Sequence, residues 1–313
     1  MKDVSHIKTF KRMPCLKRWI ILILIFSMFG CTQDAHKVTL IVPMGSPTLS
    51  VLGLNEEDYL IDIVHGPDPL VAAFGSESHD VIIAPTNLGA KMYQSSDTYR
   101  WLAIIGLGNY HVVSTSFISD SIDQLQGKDI IVFGQHQTSD IIIRHILEAT
   151  GVNSSIIYVD SLASAVATCL LDPTQIVLVA EPSLSLIKEQ VPAIVSIDLN
   201  DLYQSLHEGL SFPQASIFVR KDLSNTIVYH LLSDMRESIN FLINHPSVAA
   251  AKGVQWGILS DADVLVRAIP GSHVQMVEDF QTNEMIALYF DIILALNPAL
   301  IGGVLPDEDF YWE

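Results

Sequence analysis

Short apolar runs alternate with longer segments of mixed polarity along most of this chain. That is the pattern of strands interleaved with helices in a mostly parallel α/β protein. Strands are predicted at residues 38–42, 60–64, 80–84 and 101–105, each closed by Gly, Pro, Asn, Ser or Thr in the turn that follows. Short helices are predicted at 69–74 and 88–93. A second α/β unit opens near Ser121, with a strand at 129–133, a polar loop at 134–140 and a helix over 139–150. That helix carries Ile142, Ile143, Ile146 and Leu147 on one face, and Gly151 supplies its C-terminal stop. Further strands are predicted at 155–159, 175–180 and 193–197. Residues 215–219 read as a strand returning to the first unit, and helices at 224–244, 248–256 and 282–296 complete the chain. The pattern predicts one lobe from residues 31–117 with 214–313, and a second, inserted lobe from 118–213.

The front end is a different device. Its first thirty residues hold six basic residues against Asp3, a local +5, which leaves −23 on the rest of a chain whose formal total is −18. The apolar run 19–29 follows Lys17 and Arg18 and has eleven residues. A bilayer-spanning helix needs about 20, so residues 1–30 read as a signal peptide, with an uncleaved N-terminal anchor as the alternative. The ending Met28-Phe29-Gly30-Cys31 resembles the lipobox of bacterial lipoproteins. That resemblance implies cleavage before Cys31 and acylation of its thiol, holding the chain on the outer face of a cell membrane through palmitate-type chains. With Cys15 in the leader and Cys31 acylated, Cys169 is left alone in an apolar stretch and is expected in the core.

The body is too apolar for disorder, at 49% hydrophobic and 17% charged residues for the whole chain. Its negative charge disfavours phosphate backbones, so no nucleic-acid partner is expected; the same charge suits a self-repelling monomer. No metal-ligand spacing, nucleophile elbow, phosphate-binding loop or dinucleotide fingerprint is present, so neither a catalytic residue, a metal nor a cofactor is expected.

Ligands of open α/β sheets sit outside the carboxyl ends of the strands. Several predicted strand ends carry small and neutral polar residues, from which we select Ser46, Thr48, Thr86, Asn87, Tyr110, Gln135, Gln137, Thr138, Ser139 and Glu181 as ligand contacts. Such residues equally serve as helix caps, worth about 1 kcal/mol each; their coincidence at many loops favours a shared cleft. His136 is either a further contact or a surface histidine, and Tyr289 and Phe133 are expected in the core.

Gly66-Pro-Asp-Pro-Leu-Val-Ala-Ala-Phe74, then 80–90, 125–133 and the ending 297–311, resemble the type II periplasmic solute-binding proteins of ABC importers. The similarity is greatest to the branch of nitrate, sulfonate, taurine and thiamine-pyrimidine binders. It implies a two-lobed fold, each lobe a mostly parallel sheet flanked by helices, that closes around a small solute and delivers it to a permease with its ATPase. On that resemblance Ser46, Thr48, Thr86, Asn87 and Tyr110 would serve from the first lobe, and Gln135, Gln137, Thr138, Ser139 and Glu181 from the second. No Arg stands at these loops, since Arg144 is mid-helix and Arg220 lies beyond them. A thiamine-precursor-like pyrimidine is therefore expected ahead of a sulfonate or taurine-like compound. The alternatives are an enzyme on the same fold, of the pyrimidine-precursor synthase kind, and a sensory binding lipoprotein.

Overall fold

The computed structural model describes residues 37–278 and 280–312. Its strands, in chain order, are β1 Val38–Pro43, β2 Tyr59–Val64, β3 Val81–Pro85, β4 Tyr99–Leu107, β5 Tyr110–Ser114, β6 Asp129–Phe133, β7 Ser155–Val159, β8 Val177–Ala180, β9 Val195–Asp198, β10 Pro213–Arg220 and β11 Val274–Val277. They form a six-stranded sheet in the order β11-β4-β10-β3-β1-β2 and a five-stranded sheet in the order β7-β6-β8-β5-β9. In the first sheet β1 runs parallel to β2 and β3, while β10 is antiparallel to β3 and β4. In the second, β6 is parallel to β7 and β8, and β5 is antiparallel to β8 and β9. Both sheets are flanked by helices, the α/β class that the sequence pattern predicts, but antiparallel pairs made by β10, β11 and β5 stand where mostly parallel sheets are expected. One compact unit beginning at Val38 holds both.

Strands buried on two faces explain the near-continuous apolar runs in the sequence. Leu40, Val42, Val81, Ile83, Ile217 and Val219 point to one face of the six-stranded sheet, against Val228, Leu231 and Met235 of the helix Asn225–Asn244. Their neighbours Ile41, Ile82 and Phe218 point to the other face, as the two-residue period of a strand requires. The second core continues through Tyr110, Phe212 and Tyr289 to Ile130, Val132 and Leu178 of the five-stranded sheet. Cys169 is fully buried with Val177, Val179 and Ile187 on that sheet's outer face, where burial raises its thiol pKa.

Sequence pattern missed several elements. Helices Leu162–Leu171, Ser183–Gln190, Leu199–Leu206 and Ala262–Gly271 and the strands β5 and β11 carry no long periodic signal. β5 matters most. Its residues 110–114 pair with β8 and β9, so the chain passes between sheets at 108–109, ahead of the expected boundary at 117. Tyr110 accordingly stands opposite Ala180 in the five-stranded sheet and does not belong with the first-sheet loops, a correction to its expected place.

Cys15, the apolar run 19–29 and Cys31 lie outside the described residues. Among the described residues no helix is long and apolar enough to cross a membrane.

Candidate binding site

The residues following β1, β3, β4, β6 and β8 converge where the two sheets meet. Gly45, with φ at +123°, turns the chain out of β1 into the helix Ser46–Leu49, a conformation open chiefly to glycine. This delivers Ser46, 6% exposed, to the far end of β8. Its hydroxyl donates to the Glu181 carbonyl at 2.9 Å and accepts from Asn109 Nδ2 at 2.7 Å. Asn109 is saturated. Its backbone N–H donates to Gln214 Oε1, its Oδ1 accepts from Gln214 Nε2 at 2.9 Å, and its carbonyl accepts the Glu181 N–H at 3.2 Å. One amide thus fastens both chain crossings to the loop after β1.

A second junction lies between the helices Thr86–Tyr93 and Thr138–Thr150. The Thr138 hydroxyl donates to Asn87 Oδ1 at 3.1 Å, and Tyr289 of the helix Phe280–Leu296 donates to Thr138 Oγ1 at 3.1 Å. Asn87 Nδ2 reaches the Leu300 carbonyl at 3.5 Å. Neither helix has a side-chain cap at its N-terminus, so capping does not account for Asn87, Thr138 or Ser139. Between the junctions Tyr110 stacks on Phe212 at 5.8 Å and meets Phe133 edge-on at 6.0 Å, while Tyr203 meets Phe212 edge-on at 5.3 Å. Burial pushes the phenols of Tyr110, Tyr203 and Tyr289 above their ordinary range. All three remain neutral hydrogen-bonding groups at physiological pH.

Glu181 is buried, its carboxylate accepting from the Ser185 N–H at 3.1 Å and the Ser185 hydroxyl at 2.9 Å. Burial raises its pKa, with those two bonds, Lys188 and His273 pulling the other way.

Of the ten predicted contacts, Ser46 meets Glu181 in the first junction, Asn87 meets Thr138 in the second, and Tyr110 packs on Phe212 and Phe133. Thr48, Thr86 and Ser139 are buried but occupied: their hydroxyls bond the Pro43 carbonyl, Ser216 Oγ and the Phe133 carbonyl respectively. These three lock their own surroundings, because a buried hydroxyl next to a free acceptor satisfies it. Gln135 and Gln137 are exposed. None of the ten lines any of three cavities that open among the described residues. Asn109 and Tyr289 escaped selection. Asn109 stood in a recognisable Gly-Asn-Tyr turn, whereas nothing in a helical tail marks Tyr289. Arg144 pairs with Asp140 at 2.7 Å and Arg220 with Asp80 at 3.0 Å, so both guanidiniums are engaged away from the junctions.

Comparison with known proteins bears on this geometry. A family profile described as menaquinone biosynthesis matches residues 44–290, most of the chain. The chain belongs to the menaquinone biosynthesis family. None of the curated proteins matches it in sequence. Solved structures share its fold. An ABC transporter structure from Parabacteroides distasonis superposes with a TM-score of 0.77 at 17% identity, covering 88% of this chain and 99% of that one. The periplasmic aliphatic sulphonate binding protein of Escherichia coli gives 0.67 at 12% identity over 88% and 95% of the two chains. The alkanesulfonate-binding protein of Xanthomonas axonopodis pv. citri, bound to MOPS, gives 0.63 at 13% identity over 88% and 96%. This member of the menaquinone biosynthesis family therefore has the fold of periplasmic binding proteins. These relatives are an ABC transporter protein and two sulfonate-binding proteins, the class that the sequence resemblance implies.

Proposed function

We propose that this protein is the extracytoplasmic solute-binding component of an ABC importer, held at the membrane through Cys31. Two lobes, one around each sheet, would close on a small polar solute and release it unchanged to a permease and its ATPase. The observation that carries this reading is the pair of polar junctions, Ser46–Asn109–Glu181 and Asn87–Thr138–Tyr289, each joining loops of the two sheets. In the form described these groups satisfy one another. Separation of the sheets by a hinge at 108–109 and 212–214 would free them for a solute touching both sides, which then favours closure by its differential affinity.

The chemistry at the junctions favours a flat, uncharged or weakly basic ring. On opening, Tyr110, now stacked on Phe212, would offer an aromatic face and Ser46, Asn87, Thr138 and Tyr289 would offer neutral hydrogen bonds, while the guanidiniums of Arg144 and Arg220 are engaged elsewhere rather than clamping an anion. A pyrimidine thus fits better than a sulfonate or taurine-like compound. Thermal-shift screening against pyrimidines, sulfonates, amino acids and nitrate tests the reading. A solute at about 100 times its Kd adds roughly 2.7 kcal/mol to the folded state. No shift with any class overturns solute binding, and a shift with sulfonates alone overturns the ring preference. Anchoring is tested separately: Cys31→Ser should lose palmitate labelling and move from the membrane to the soluble fraction.

A second reading, an enzyme acting on a ring compound, is favoured by the description of the family. Mass spectrometry of each stabilising solute after prolonged incubation distinguishes the two. An altered product supports catalysis, and quantitative recovery supports binding alone.

A further inference from the structure

A well-lined opening beside the crossings borders the first junction, where Asn109 Nδ2 reaches the Ser272 carbonyl at 3.4 Å. It is a cavity of about 430 Å³ between the helix Leu199–Leu206, which follows β9, and the turn from the helix Ala262–Gly271 into β11. Its volume lies in the range that holds a small organic ligand. Apolar walls come from Leu107, Leu242 and Ile269, and its polar groups are Asn200, Asp201, Gln204, Ser211, His273 and Gln275.

The hydrogen-bond inventory of these side chains is one-sided. His273, held with φ at +46°, places Nδ1 2.5 Å from the Gly108 carbonyl, to which it donates. Gln204 spends its Nε2 on Ser211 Oγ at 2.7 Å, which leaves its Oε1. Asn200 is 4% exposed, and its Oδ1 has no partner among the described residues. A buried carbonyl oxygen without a donor costs about 1–3 kcal/mol, so a donor supplied from outside is favoured. Asp201 adds a carboxylate, and Asp198 lies close behind it, accepting the Asn200 and Asp201 N–H groups through Oδ1 at 2.8 and 3.2 Å. No Lys or Arg lines the cavity.

We propose that this cavity is a binding site for a small organic ammonium ion, whose N–H groups would serve Asn200 Oδ1 and the Asp201 carboxylate while its alkyl part rests on Leu107, Leu242 and Ile269. The site borders the first junction, but none of Ser46, Asn109 and Glu181 lines it, and the proposal does not rest on their assignment to a solute.

Calorimetric titration of the full chain with 1,4-diaminobutane, 1,4-butanediol and succinate tests it, the three probes sharing a four-carbon length and differing in charge. The diamine should bind once per chain, the diol at least tenfold more weakly, and succinate not at all. Asp201→Asn should weaken the diamine at least tenfold, whereas Asp160→Asn, an exposed carboxylate outside the cavity, should leave it unchanged. The His273 ring resonances should shift along the same isotherm. Absence of saturable diamine binding, equal binding of succinate, equal loss in both variants or a silent His273 overturns the proposal.

Discussion

The Thr138 hydroxyl, at the start of a helix beside the five-stranded sheet, donates to Asn87 Oδ1 of the six-stranded sheet's flanking helix at 3.1 Å. Tyr289 donates to the same threonine oxygen, so one hydroxyl links three separate elements. Thr138→Val keeps the shape of the side chain and strands both partners in a buried place. It should cost about 1–3 kcal/mol and enlarge the radius of gyration measured by small-angle scattering. An unchanged radius at unchanged stability would show that this bond does not hold the sheets together.

Glu181 provides a pH test. Burial is the largest influence on its carboxyl and raises the pKa above the ordinary 4.5. The folded state therefore holds this proton more tightly than the unfolded chain does. Its favourable contribution is complete below pH 4.5 and fades as pH rises through the higher folded value. Glu181→Gln removes that loss, so the variant should gain stability relative to the parent between pH 4 and pH 7. Urea midpoints of both proteins across that range decide the sign, and parallel curves would refute it.

His111 acts in the opposite sense. It lies in β5 with neither ring nitrogen hydrogen-bonded, and the Asp198 carboxylate is 3.8 Å away. Burial lowers its pKa from 6.5 to about 4, helped by Lys188 and His273 and opposed by Asp198. The unfolded chain then binds the proton better, so stability is full above pH 6.5 and is lost as pH falls toward 4. The loss approaches about 3 kcal/mol. His111→Phe should flatten the acid limb of the stability curve, and an imidazole that titrates normally by NMR would contradict burial as the cause.

Gly89 tests packing near the first sheet. A Cβ there would stand 1.9 Å from Phe218 Cζ, inside the ring that β10 presents to the helix Thr86–Tyr93. Gly89→Ala should destabilise the fold by about 1–3 kcal/mol through overpacking, visible as a lowered Tm. At Gly75 an added Cβ meets nothing within 4 Å, so Gly75→Ala should not lower Tm.

What the sequence determined by itself was local and periodic. Apolar runs such as 80–84 and 129–133 located strands because both faces of these sheets are buried, and Ile142, Ile143, Ile146 and Leu147 revealed their helix by spacing alone. Small polar residues at strand ends include the pairs Ser46 with Glu181 and Asn87 with Thr138, because strand order and handed crossovers bring such loops to one edge. Tertiary structure decided which of those polar groups pair between loops of the two sheets. Thr48, Thr86 and Ser139 look like their neighbours in sequence, yet each finds a nearby oxygen and is consumed by its own turn or by β10. The same step recruited Tyr289 from a distant helix and Asn200 with His273 from segments without any shared motif. A hydroxyl's or amide's partner is set by which chain segments approach within about 3 Å, and only the folded backbone makes that choice.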